Sequence, residues 1–137
     1  MARYLAKVSG PLLDRIDLHI DVPAVPFDAL TQAPGGEASA QIRARVVKAR
    51  RWARRRGQSR ANAQLSSKEL KAYCEMTPEA WGVLKSAMRE LMLSARSYTK
   101  ILKISRTIAD LAQSNQILPE HIAEAIQYRS LDRQLWV

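Results

Sequence analysis

Arginines are the residues of this 137-residue chain with the widest scope for chemistry, because the motifs of common catalytic sites are missing from it. The chain has no G-x-x-x-x-G-K-[ST] phosphate-binding loop, no G-x-G-x-x-G turn and no H-E-x-x-H zinc motif. His19, His121 and Cys74 form neither a metal-binding cluster in sequence nor a nucleophile with its base. We therefore expect no metal site and no catalysis by this chain alone. The two histidines are expected at a surface or interface, and Cys74 as a packing residue.

A strongly basic stretch dominates the charge of the chain. Residues 39–61 hold nine positive charges and no acid, whereas the rest of the chain holds 13 positive and 13 negative charges, so this stretch accounts for the whole net charge of +9. Such a stretch predicts contact with a polyanion, most often nucleic acid, although a solvated arginine-rich helix face is the alternative. Arginine predominates, and its planar guanidinium binds phosphate bidentately. The candidate DNA contacts are Arg43, Lys48, Arg50, Arg51, Arg54 and Arg55.

Arg96 breaks a local rule of helix chemistry. It is the second residue of a helix predicted to start after Ser94, where the helix dipole favours an acidic residue. Free backbone N–H groups beside a guanidinium would suit an anion such as phosphate. The alternative is an ion pair with Glu79 or Glu90, and the sequence leaves both open.

Arg15 lies between Asp14 and Asp17 in an otherwise apolar stretch, just before a predicted strand. An arginine in this setting is typical of a salt-bridged structural residue. From the residues alone, that structural role is the favoured interpretation.

The elements that must position these arginines are mainly helical. Apolar residues alternate with polar ones from Ile16 to Val22, which predicts a short strand, and a flexible loop with Pro34-Gly35-Gly36 is expected from Pro23 to Glu37. After residue 38 the sequence predicts a small bundle of about five helices. Their start signals are Ser39, the capping box Ser66–Glu69, Thr77-Pro78, Ser94 and Pro119-Glu120.

Helical spacing of the apolar residues predicts which of them face the core of the bundle. The residues expected to face the core are Ile42, Val46, Ala49, Ala53, Trp81, Leu84, Met88, Leu91, Ile101, Ile104, Ile108, Leu111, Ile122, Ala125 and Ile126.

The sequence predicts no contact with a membrane. No apolar run is long enough to span one, and residues 1–7 contain no apolar leader. We therefore expect a cytoplasmic protein without a membrane partner.

Three blocks of the chain form long motifs in a fixed order: residues 10–23 (GPLLDRIDLHIDVP), residues 93–111 (LSARSYTKILKISRTIADL) and residues 120–129 (EHIAEAIQYR). They resemble, in that order, the end of the ATPase core, the sensor-2 helix and the final helix of the magnesium chelatase-like AAA+ ATPases of the ComM or YifB type. The similarity runs from about Arg3 to Leu135.

This resemblance implies roles for the two arginines. The arginine in the L-x-R-[IF]-x-L setting, here Arg15, would be an arginine finger that reaches the ATP site of a neighbouring subunit. The arginine that starts the sensor-2 helix, here Arg96, would contact the γ-phosphate of the nucleotide. Arg106 is a weaker candidate, expected on the outer side of the same helix and in a salt bridge.

The resemblance also implies a longer protein. Walker motifs would lie upstream, so we expect a C-terminal fragment: residues 1–38 as a loosely ordered end of the ATPase core, with strand and linker, and residues 39–137 as the helical lid domain. ATP and Mg²⁺ would act in the full-length protein, with none expected in this fragment, and the partners would be DNA, the nucleotide held by the core and other subunits of a homo-oligomeric ring. The family implies a DNA motor of the branch-migration type. The alternatives are a metal-chelatase-like motor subunit that acts on a protein and a stand-alone basic nucleic-acid-binding bundle.

Overall fold

The structure, a computed structural model, describes residue 12, residues 15–27 and residues 36–129. Predictions on residues 1–11, 13–14, 28–35 and 130–137, which include most of the Pro23–Glu37 loop and the Pro34-Gly35 turn, lie outside the described residues. Five α-helices and one short 3-10 helix are found in the described part of the chain. They are α1 (Ser39–Arg55), the 3-10 helix Asn62–Gln64, α2 (Ser67–Tyr73), α3 (Pro78–Glu90), α4 (Ala95–Leu111) and α5 (Pro119–Gln127). The predicted mainly α bundle of about five helices is confirmed.

The helix starts follow the predicted capping chemistry in most cases. Ser66 and Glu69 form a reciprocal capping box at α2, in which the Ser66 backbone N–H donates to Glu69 Oε2 at 2.8 Å. Thr77 caps α3, with Pro78 as its first residue, and Ser94 accepts from the Ser97 N–H at 3.1 Å to cap α4. The start of α1 differs slightly, because Ala38 is the N-cap and Ser39 is already helical.

The core lies around α4, which contacts α1, α2, the 3-10 helix and α5, while α5 also packs against α3. Ile101, Leu84 and Ile122 are completely buried and come from three different helices. Truncating a side chain of this kind to alanine typically costs about 2–5 kcal/mol. A single parallel bridge between Met76 and Ile117 joins the entries to α3 and α5. The bundle therefore holds α4 in one orientation, which fixes where its first turn points.

Several inward predictions were wrong. Trp81 is 49% exposed and Leu111 is 48% exposed, since each lies at the margin of its apolar stripe. In α1 only Ala49 is buried, whereas Ile42 and Val46 on the same predicted stripe are exposed.

The predicted strand at Ile16–Val22 is not formed. Its alternating apolar residues are exposed, because the described part of the chain offers no strand to pair with this segment. His19, expected at a surface or interface, is only 7% exposed, so it does not lie at a free surface. The backbone N–H of this histidine donates to Tyr128 O of the bundle, so the segment contacts the bundle without forming a sheet.

Candidate functional site

Arg96 lies where the sequence predicted, on the first turn of α4. It is exposed and follows the Ser94 cap by two residues. The first turn of α4 contains no acidic residue, so the positive end of the helix dipole is not offset there by its own residues. An anion approaching this turn would meet the guanidinium and the helix N-terminus together.

Arg15 is also exposed, at a turn in which its backbone N–H donates to Leu12 O at 3.0 Å. The ion pair expected for Arg15 is not found among the described residues. Asp17 instead pairs with Lys100, with 2.6 Å between Asp17 Oδ1 and Lys100 Nζ, and the same Nζ donates to the Arg15 carbonyl. Because Lys100 follows Arg96 by one helical turn, the structure brings the Arg15 segment next to the first turns of α4.

Arg129 completes this junction, and the sequence analysis gave it no role. It is 2% exposed, and its Nη1 donates to the backbone carbonyls of Ile16 and Asp17. Its Nη2 lies 3.5 Å from Ser97 Oγ, on the first turn of α4. The backbone N–H of His19 also donates to Tyr128 O at 2.8 Å. Nothing in the linear pattern distinguishes Arg129 from an arginine at an exposed helix end, because the partners described here, Ser97 and the carbonyls of Ile16 and Asp17, are distant in sequence.

The six candidate DNA contacts share one side of α1. At 100° per residue they span an arc of about 160°, centred opposite the buried Ala49. All six are exposed, and none is ion-paired with another described residue. By contrast, Arg45 pairs with Glu37 and Arg56 pairs with Asp110, and both lie on the bundle side of the helix. The basic segment thus contains two ion-paired arginines, Arg45 and Arg56. It also contains an outer set of cations with no ion pair to a described residue, here called the basic face: Arg43, Lys48, Arg50, Arg51, Arg54 and Arg55.

An open groove of about 920 Å³ runs beside the basic face. Its described lining combines apolar Ala44, Val47 and Trp52 with cationic side chains. The guanidinium carbon of Arg55 lies 6.0 Å from the centroid of the Trp52 ring, at cation–π distance. The groove therefore presents apolar surface between cations, which suits a polyanion that also carries flat apolar groups.

Arg106 is a structural residue, and its predicted place on the outer side of α4 was wrong. Its side chain is completely buried, and it donates to Asp110 Oδ1 at 3.1 Å, Ser114 O at 2.6 Å and Asn115 O at 2.8 Å. The predicted salt bridge is present, with Arg106 Nη2 3.0 Å from Asp110 Oδ1. Asp110 also accepts from Arg56 Nη2 at 2.8 Å, so one carboxylate serves two guanidinium groups.

The remaining chemically active groups are buried. Cys74 is a packing residue, as predicted, and burial raises the pKa of its thiol to about 11, which keeps it protonated. His121, expected at a surface or interface, is 5% exposed and so does not lie at a free surface, and burial lowers its pKa. Its Nδ1 accepts from the Leu118 N–H at 3.0 Å at the start of α5. Among the described residues no group of His, Cys, Asp or Glu could hold a metal ion, and no helix is long and apolar enough to cross a membrane.

Fold and site together define a small helical-bundle domain with a basic outer helix and an upstream segment fixed to its fourth helix. The profile of the family described as magnesium chelatase, subunit ChlI C-terminal, matches residues 36–129, and that of magnesium chelatase, subunit ChlI, matches residues 1–30. The chain belongs to the magnesium chelatase ChlI family.

Curated relatives agree with this assignment. The chain is 45% identical over 134 residues to the competence protein ComM of Haemophilus influenzae and 40% identical over 134 residues to YifB of Escherichia coli. It is 34% identical over 130 residues to an uncharacterized protein of Mycobacterium tuberculosis. These matches cover 97%, 97% and 93% of this chain but only 26% of each relative, so the chain spans about a quarter of their length.

Proposed function

We propose that this chain is the lid portion of a ring-forming AAA+ ATPase that works as a DNA motor of the ComM branch-migration type. In this proposal the protein acts in the cytoplasm, the ring is homo-oligomeric, and ATP and Mg²⁺ are bound by an ATPase core of which this chain holds only the end. The fragment by itself would not hydrolyse ATP, because it has no phosphate-binding loop. Family membership and the 45% identity to a competence protein support the proposal.

Residues 1–38 would then be the end of the core with its linker, and residues 39–137 the lid. Support comes from the two family profiles, which meet between residues 30 and 36. The five helices of the bundle, α1 to α5, also begin after residue 38.

Arg96 would contact the γ-phosphate of the nucleotide bound by its own subunit, and Arg15 would reach the nucleotide of the neighbouring subunit. Phosphoryl transfer leaves charge on the γ-phosphate oxygens, and a guanidinium held in place stabilises that charge. Both arginines are exposed, as such roles require. Their anchoring to the same end of α4 supports a shared task at a subunit boundary.

The basic face of α1 is the observation that supports DNA as the proposed partner. Six exposed cations without described ion pairs lie along one side of a 17-residue helix. Arginine and lysine in this arrangement can neutralise several phosphates and release their counterions. Since one helix face offers few groups that read bases, binding should not depend on sequence.

The second candidate is a chelatase-like motor subunit whose partner is a protein, and the description of the matched family favours it. ATP turnover by the full-length protein, with and without DNA, separates the two. A motor on DNA should hydrolyse ATP several-fold faster when DNA is added.

The variant that reverses Arg50, Arg51, Arg54 and Arg55 to Glu should lose this stimulation while retaining its basal rate. A matched control reverses four exposed cations on other helices, Lys68, Lys71, Lys85 and Arg89, and changes the net charge equally. The DNA motor proposal requires the control to keep the stimulation. Turnover indifferent to DNA in all three proteins supports the chelatase-like alternative.

A further inference from the structure

We propose that Arg129 is a positioning residue that holds the segment of Arg15 against the first turn of α4, which carries Arg96. The proposal rests on the nucleotide roles proposed above for those two arginines. It assigns the turn that follows α5 a part in coupling the nucleotide site of one subunit to that of the next.

The position of the Arg129 guanidinium is the first support. One of its terminal nitrogens donates to the carbonyl of Ile16, the residue directly after Arg15. The other lies 3.5 Å from the hydroxyl of Ser97, the residue directly after Arg96. One rigid planar group thus contacts the immediate chain neighbours of both proposed nucleotide-contacting residues.

Burial is the second support. Arg129 is 2% exposed, and a cation withdrawn from water loses hydration that its contacts must replace. The contacts include backbone carbonyls at Ile16 and Asp17, which belong to a segment with no regular secondary structure. Without this cation, the described polar contacts that tie the segment to the bundle are reduced to the single His19–Tyr128 backbone hydrogen bond and the contacts of the more exposed Lys100, so the segment should be held less firmly.

The geometry of these contacts requires arginine specifically. Its planar fork presents donors in fixed directions, so it can bond to two carbonyls on one side and a hydroxyl on the other. The lysine ammonium is a single point on a flexible stem and cannot reach both sides at once. Arg129→Lys therefore keeps the charge but removes the bridge between the two elements.

Lys100 forms a second, more accessible tether between the same elements. Its Nζ bonds to the Arg15 carbonyl and pairs with Asp17, whose side chain is 64% exposed. A movement of the first turn of α4, as Arg96 follows the γ-phosphate, would pass to the backbone of Arg15 through both cations. The two arginines would therefore move as one unit.

The test uses the full-length protein and a matched pair of buried arginines. Arg129→Lys should lower kcat for ATP by about 10- to 100-fold, as expected for a misplaced catalytic group, with little change in KM. Arg106→Lys, the same substitution in the structural cluster at the other end of α4, should lower the melting temperature but leave kcat within about twofold of wild type. Equal kcat losses in the two variants, or none in Arg129→Lys, would overturn the proposal.

A double-mutant cycle separates positioning from independent damage. In an Arg15→Ala background, Arg129→Lys should lower kcat by much less than it does in wild type, because the group that it positions is already gone. Fully multiplicative losses would contradict a positioning role. If Arg15→Ala alone leaves turnover unchanged, the proposed role of Arg15 fails, and the positioning of it by Arg129 fails too.

Amide hydrogen exchange provides a readout independent of turnover. The His19 N–H, bonded to Tyr128 O, should exchange faster in Arg129→Lys and at the wild-type rate in Arg106→Lys. Unchanged exchange at His19 in Arg129→Lys would show that the segment is held by other contacts, and the proposal would then be wrong. If Arg129→Lys does not fold, Ser97→Ala removes the α4 side of the bridge alone and should still reduce kcat several-fold.

Discussion

Asp110 is the carboxylate that balances the arginine charge inside this bundle. It accepts from buried Arg106 and from Arg56, and Asn62 Nδ2 also donates to it at 2.8 Å. Removing one partner of a buried pair is costly, because the other charge stays behind without compensation. In this cluster two guanidinium groups would lose their carboxylate together.

Asp110→Asn should therefore lower the free energy of unfolding by about 3–5 kcal/mol, measured by urea denaturation followed by circular dichroism. Glu37→Gln makes the same chemical change at the exposed Arg45 pair and is the matched control. Its denaturation midpoint should stay close to wild type, since exposed pairs contribute little. Equal effects of the two substitutions would mean that the buried cluster is not a source of stability.

His121 gives the stability of the bundle a pH dependence. Burial lowers its pKa, partly offset by the nearby Glu120 carboxylate, so the folded protein binds this proton less readily than the unfolded chain. Its Nδ1 must also be unprotonated to accept from the Leu118 N–H. The stabilising contribution is present above the unfolded pKa of about 6.5 and is lost as pH falls through the lower folded value.

We expect wild type to lose stability between pH 7.5 and pH 5 more steeply than His121→Gln. Glutamine keeps an acceptor for the N-cap N–H, as in a capping box, but does not titrate. Urea unfolding at a series of pH values measures the difference in the free energy of unfolding between the two proteins. The contributions of their shared carboxylates cancel in that difference. Parallel pH profiles would contradict a role for His121 protonation.

At the scale of elements, capping chemistry predicted more than apolar periodicity did. The starts of α2 to α5 were predictable from Ser, Thr and Pro, because the capping interactions are local and the partners lie within three residues. Burial was less predictable, since it depends on where neighbouring helices end. The apolar stripe of α1 is regular, yet of its residues only Ala49 is buried.

In the candidate sites, too, local features were predictable from the sequence and long-range contacts were not. The basic face of α1 was predictable because it requires only helical spacing and the absence of acids. The separation of Arg45 and Arg56 from that face was not, because each is paired with a residue from outside α1. The buried contacts of Arg129 and His19 were missed for the same reason, as both depend on a long-range junction.

The basic face of α1 should bind DNA weakly and without sequence preference. If about five phosphates are contacted, the log–log slope of affinity against salt should be near −4.5. Arg51→Ala should weaken binding and reduce the slope by about 0.9, because it removes one phosphate contact. Arg45→Ala, in the same helix but paired with Glu37, is the matched control and should leave the slope unchanged. Fluorescence anisotropy over a range of salt concentrations measures both, and no binding at ~50 mM salt would favour a merely solvated face.

For the molecule as a whole, the bundle joins two kinds of surface on one rigid scaffold. The basic face lies on α1, and the junction with the Arg15 segment lies at the first turn of α4, while α1 and α4 pack directly against each other. In a ring, such a scaffold could link nucleotide state at a subunit boundary to contact with a polyanion. Rings of mixed subunits can therefore test whether each arginine acts at the nucleotide site of its own subunit or at that of the neighbour.

In the full-length protein, Arg15→Ala and Arg96→Ala should each reduce ATP turnover, by about 10³-fold for an arginine finger. Their behaviour in mixed rings should differ. When Arg15→Ala subunits are mixed with subunits whose phosphate-binding loop is inactivated, some interfaces combine an intact loop with an intact Arg15 from the neighbour, so turnover should partly return. Arg96→Ala subunits in the same mixture should stay inactive, because Arg96 and the loop must belong to one subunit. Recovery with both variants would place Arg96 at the neighbour's site as well, and wild-type turnover by either variant alone would contradict the role proposed for that arginine.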